Sequence, residues 1–153
     1  RGDDNRVYPW GNSWPPPAAN GGNLRDESAR DLFKPLDRQN PRKNDLYWGV
    51  IEGYNDGYRL TSPVKALASA EPYGTYGMGG NVFEWCEDWL DGFDKDSGPL
   101  SDPCGNNRDD GRALRGGSWM LTVPQGCTFF RYADLVSDRF CDIGFRCVLR
   151  PVY

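Results

Sequence analysis

Histidine is absent from this 153-residue sequence. Without an imidazole the chain cannot build a Ser-His-Asp or Cys-His catalytic site from its own residues, nor a His-ligated metal centre. A metal held here must rely on carboxylate, carbonyl or thiolate ligands. No Cys-x-x-Cys pair occurs among Cys86, Cys104, Cys127, Cys141 and Cys147, which argues against a zinc ribbon. The odd count leaves at least one thiol free or paired outside the chain. No apolar run approaches about 18 residues, so no membrane span is expected, and no signal peptide is visible. Runs of Lys and Arg are missing too: 18 basic and 22 acidic residues are well mixed, giving a net charge of −4. Nucleic acid is therefore not an expected partner.

What the chain has in abundance is aromatic residues and chain breakers. Six Trp and eight Tyr accompany nineteen Gly and twelve Pro. Such a mixture excludes a helical bundle, which needs longer unbroken stretches, and suits a loop-rich domain anchored by aromatic side chains. The length fits one domain that buries roughly two thirds of its unfolded surface. Residues 1–45 read as loop, apart from one or two helical turns over Asp26–Phe33. Asn55-Asp56-Gly57 is a turn signal. Three segments read as strands: Val82–Trp85, Ala113–Arg115 with a continuation over Ser118–Leu121, and Ile143–Leu149, whose odd positions are apolar. Residues 90–111 form a long polar loop.

Seven motifs follow in order: YPWGN at 8–12, WPPP at 14–17, GYNDGY at 53–58, TSPV at 61–64, YGTYGMGGNVFEWCEDW at 73–89, LRGGSW at 114–119 and IGFRCVLRP at 143–151. In this order they resemble the C-terminal part of the formylglycine-generating-enzyme (sulfatase-modifying-factor) family. The resemblance implies an α+β, irregular C-type lectin-like fold with short antiparallel strands and little regular secondary structure. It also implies that residues 1–153 make one such domain lacking the family's N-terminal half. The chain would then be a fragment, a cleaved product or one half of a two-chain assembly, with a second chain as a partner. Most motif Gly and Trp residues are expected to build the fold: Gly116 and Gly117 by permitting a tight backbone, Trp85 and Trp119 by filling the core. Arg115 and Arg146 are suited to satisfying carbonyls or a carboxylate such as Glu84.

The resemblance further implies calcium. The ion takes six to eight hard oxygen ligands, backbone carbonyls included, which loops rich in Asn, Asp and Gly can supply. The family's first site maps onto Asn23, Leu24, Asp56 and Tyr58. Its second maps onto Gly77, Gly80, Val82 and Glu84, where Gly77 lacks the side-chain oxygen usual in the family. The bland reading is that Asp56 caps a turn and Glu84 pairs with an arginine.

Copper is not expected. Copper-dependent relatives hold Cu(I) with two cysteines shortly after RGGSW, and here Leu121 stands at the first position. Cys127 lies about one residue from the second. Cys147 matches a position that in some relatives bridges to the N-terminal half, and Cys104 with Cys127 or Cys141 is a further candidate bridge. The expected function is thus non-catalytic: ligand binding or assembly, with a protein or glycan ligand, in an extracytoplasmic location. Some relatives diversify the stretch after RGGSW for ligand binding, and the large side chains Trp119, Leu121, Phe129, Arg131, Tyr132 and Phe140 are the candidate surface. The alternative is a sulfatase-modifying oxidase that converts a substrate cysteine to formylglycine.

Overall fold

Asp26 starts the helical segment. A computed structural model describes residues 4–17, 21–39, 49–67, 74–90, 111–122 and 127–149. In it the Asp26 carboxylate accepts from the Ser28 backbone N–H at 2.9 Å and so caps a 3-10 turn, Glu27–Ala29, that runs into helix α1, Arg30–Gln39. Ala29 and Phe33, one helical turn apart, turn inward against Trp119, whose ring lies 6.2 Å from that of Phe33. The Arg25 guanidinium covers the Phe33 ring, 4.5 Å from its centroid. The expected turns over 26–33 are therefore present, and the helix runs six residues further.

Among the described residues four strands form one sheet: β1 (Phe83–Trp89), β2 (Arg112–Arg115), β3 (Tyr132–Asp134) and β4 (Ile143–Gly144). The order across the sheet is β3-β2-β1-β4. Pairs β1–β2 and β2–β3 are antiparallel, with Glu84 opposite Arg115 and Ala113 opposite Ala133. A register shift interrupts β1 between Trp85 and Trp89. Pair β1–β4 is parallel, which corrects the expectation of antiparallel strands throughout.

Two strand boundaries also differ from expectation. Ser118–Leu121 does not continue β2: Gly116 and Gly117 take positive φ, 93° and 77°, and the chain turns away. The turn closes with Leu121 donating its N–H to the Ser118 carbonyl at 3.1 Å. Of Ile143–Leu149 only the first two residues pair with β1. Beyond them Phe145, Val148 and Leu149 are exposed, so period-2 apolarity there marks no buried face.

Among the described residues two small apolar clusters stand out, and Phe83, Ala113 and Leu114 of the sheet are buried as well. Trp10, Leu24, Ile51 and Tyr54 form one, with Tyr8 stacked on Trp10 at 5.0 Å; Ala29, Phe33 and Trp119 form the other. Burying each large side chain contributes about 1.5–3 kcal/mol. Polar groups join the clusters: Asn23, Arg25, Asp26, Asp56, Ser118 and Thr122 are all buried. Arg25 lies between them, donating its N–H to the Leu121 carbonyl and accepting at its own carbonyl from Ile51. Among the described residues no helix is long and apolar enough to cross a membrane. Residues 91–110 of the expected polar loop lie outside the described residues, as does Cys104.

Candidate functional site

The turn Asn55-Asp56-Gly57-Tyr58 folds through its own side chains. Asn55 Oδ1 accepts from Gly57 N at 2.9 Å and Asp56 Oδ1 from Tyr58 N at 2.8 Å, two Asx turns in succession. The other Asp56 oxygen accepts from Leu24 N at 3.0 Å, across 32 residues of sequence. Asp26 holds the turn from behind by accepting the Asp56 N–H at 2.5 Å. Burial pushes the Asp56 carboxyl up to about 7, against the two backbone N–H bonds, which favour its charge, and with the Asp26 carboxylate adding to the rise.

Asn23 is only 1% exposed and lies beside this carboxylate's partner, Leu24. Its amide nitrogen donates to the Leu60 carbonyl at 2.7 Å and to Asn81 Oδ1 at 3.3 Å. Its own Oδ1 has no donor among the described residues. Nor do the carbonyls of Leu24 and Tyr58 accept a hydrogen bond among those residues. The loops thus tie Leu24 and Tyr58 to Asp56 through their backbone N–H groups, with the unpartnered Asn23 amide oxygen one residue before Leu24. That donor chemistry fits a calcium ion. Among the described residues no three His, Cys, Asp or Glu side chains converge, so an ion held here would have to draw on amide and carbonyl oxygens as well.

The residues of the second set meet different neighbours. Gly80, at φ 81°, packs on Asn23 of the first set: a Cβ there would lie 2.0 Å from the Asn23 carbonyl oxygen. Its neighbour Asn81 donates to that same carbonyl at 2.7 Å. Val82 packs against Gly144 of β4. Gly77 and Glu84 meet instead around the Arg146 guanidinium.

Of the candidate ligand surface, Phe129, Tyr132 and Phe140 are exposed, at 60%, 48% and 55%. Tyr132 is held by stacking on the buried Phe83, 5.8 Å between ring centres. Arg131 is half-buried. Trp119 is a correction: at 8% exposure, packed on Phe33, it belongs to the core and not to a surface. Leu121 is half-buried. The sequence reading missed the exposed Leu135 and Val136, the buried Asp26 and the half-buried Asn81. Asp26 was findable as the cap before a helical run, and Asn81 by its place in a Gly-Asn-Val motif.

Among the described residues Cys86, Cys127, Cys141 and Cys147 form no disulfide with one another. Burial raises Cys86, with Arg115 opposing, and Cys127 lies buried. Arg115 is engaged elsewhere, donating to the Phe130 and Thr128 carbonyls at 2.6 and 2.7 Å.

Comparison with known proteins fits this architecture. The model of the sulfatase-modifying factor enzyme 1-like domain matches residues 1–151. The chain belongs to this family. A formylglycine-generating enzyme of Thermomonospora curvata is 30% identical across 99% of the chain and 45% of that relative. An inactive C-alpha-formylglycine-generating enzyme 2 of Bos taurus is 25% identical across 93% of the chain and 37% of that relative. The chain therefore spans less than half the length of these relatives. Among solved structures, Treponema denticola variable protein 1 superposes with a TM-score of 0.53 at 34% identity, over 60% of this chain and 32% of that one. The family thus includes relatives named as enzymes and relatives named as inactive, on a small mixed sheet with few helices.

Proposed function

We propose that this chain is a non-catalytic recognition or assembly domain of the sulfatase-modifying-factor family, with a C-type-lectin-like arrangement stabilised by calcium. One observation carries the non-catalytic reading. Leu121 stands where copper-dependent relatives place the first of two cysteines, and leucine cannot coordinate a metal. A single buried thiol, Cys127, cannot replace the pair. Calcium would be held by Asn23 Oδ1, the Asp56 carboxylate and the carbonyls of Leu24 and Tyr58. Its contribution is charge: it offsets the buried carboxylate and satisfies the unpartnered amide oxygen.

The recognition surface is Phe129, Arg131, Tyr132 and Phe140, widened by Leu135 and Val136. Large exposed apolar side chains of this kind favour a protein ligand over a glycan. A set with one carboxylate binds calcium weakly, which suits the high calcium of an extracytoplasmic location. The length of the relatives supports a further polypeptide, or a second chain, that supplies the rest of the domain.

A second reading, oxidation of a sulfatase cysteine to formylglycine, is favoured by the likeness to the Thermomonospora enzyme across nearly the whole chain. The two separate in one experiment. The protein is incubated with Cu(I), oxygen and a Cys-x-Pro-x-Arg peptide, with an authentic formylglycine-generating enzyme in parallel, and the peptide is weighed by mass spectrometry. An unchanged peptide beside a converted control supports recognition. Conversion to formylglycine would establish the oxidase.

A further inference from the structure

We propose that the oxygens of Gly77 and Glu84 bind no divalent ion and are closed instead by an internal cation, the Arg146 guanidinium. Four contacts define the arrangement. Arg146 Nε donates to Glu84 Oε2 at 2.5 Å, and Nη2 donates to Glu84 Oε1. The same Nη2 donates to the carbonyls of Tyr76 and Gly77 at 3.1 and 3.4 Å. One nitrogen thus gathers a carboxylate and two backbone carbonyls, the oxygen types a hard metal ion would take. Guanidinium is permanently charged, and its planar fork matches the carboxylate two bonds at a time.

Gly77 has no side chain to offer, and Gly80 is packed on Asn23. A calcium ion at Glu84 would face a positive charge already hydrogen-bonded to the same carboxylate. The sheet holds that charge in place: Gly144 of β4 pairs with Glu84 of β1, so Arg146 leaves the sheet two residues past its acceptor's partner. Glu84 is the more sheltered of the two, 19% against 38% exposed at the side chain. Arg146 is a clamp, tying the segment after β4 to the Gly-rich loop and to β1. This assignment uses different residues from the calcium set at Asn23 and Asp56 and stands apart from it.

The test counts bound calcium and follows melting in the 153-residue chain, in EDTA and in calcium. With an internal cation, Glu84→Gln lowers the melting temperature equally in both buffers, by about 2–4 °C, and leaves the bound calcium unchanged. Arg146→Ala frees the oxygens, and one more calcium per chain than in the wild type adds support. A Glu84→Gln protein that melts normally in EDTA but carries one calcium fewer than the wild type would overturn the proposal. Asp56→Asn, run alongside, reports on the other set alone. Its calcium can be present or absent without changing the Glu84→Gln result.

Discussion

Replacing Asp56 with Asn is expected to abolish calcium-dependent stability while raising metal-free stability at pH 8 by about 1–3 kcal/mol over the wild type. Two terms oppose each other in the metal-free protein. The buried Asp56 carboxyl titrates at about 7 against an ordinary 3.8, a gap worth roughly 4 kcal/mol of charge-burial cost once it is ionised. Asn removes that cost. It also loses an acceptor, because only one amide atom can receive an N–H, and either Leu24 N or Tyr58 N is stranded at about 1–3 kcal/mol. The pH dependence has a definite sign. Folding raises this pKa, so metal-free stability is fully present below about pH 4 and is lost as pH rises through about 7. Calcium needs the ionised form, so its effect grows over the same window. At a calcium concentration of one hundred dissociation constants, binding adds about 2.7 kcal/mol. That corresponds to about 5–10 °C in a chain of this size. The assay is thermal melting of wild type and Asp56→Asn, in EDTA and in calcium, at pH 5 and pH 8. The wild type should gain several degrees from calcium at pH 8 and little at pH 5; the variant should gain none at either. A wild type indifferent to EDTA at pH 8, or a variant that keeps the gain, would refute calcium at this set.

Other substitutions probe the packing that places the site. Trp119→Ala empties the space beside Ala29 and Phe33 and should cost about 3–5 kcal/mol in denaturant unfolding. If Trp119 instead lay on a surface, the loss would be near zero. Gly80→Ala drives a Cβ to within 2.0 Å of the Asn23 carbonyl oxygen at φ 81°. It should destabilise the chain and remove calcium protection together, read as melting with and without EDTA. Arg115→Met strands the Phe130 and Thr128 carbonyls and should cost about 1–3 kcal/mol, measured by urea unfolding at constant m-value.

Local chemistry was legible in the sequence wherever a residue acts on its near neighbours. Asp26 before Glu27–Ala29 is a helix cap, Asn55-Asp56-Gly57 makes its own turn, and Gly116-Gly117 allows the bend that ends β2. The motif order carried family membership, and the missing histidine set which ligands the sequence cannot offer. Three matters needed the tertiary structure. Trp119 and Phe129 look alike in sequence, yet one is buried and the other exposed, because only the approach of α1 decides which aromatic is covered. The apolar alternation of Ile143–Leu149 suggested a long strand, but pairing ends at Gly144, since a strand needs a neighbour as well as a pattern. Gly80 and Glu84 stand four residues apart and in sequence suggested one ligand set. In the fold Gly80 packs on Asn23 and Glu84 pairs with Arg146, 62 residues downstream, contacts that spacing along the chain does not encode.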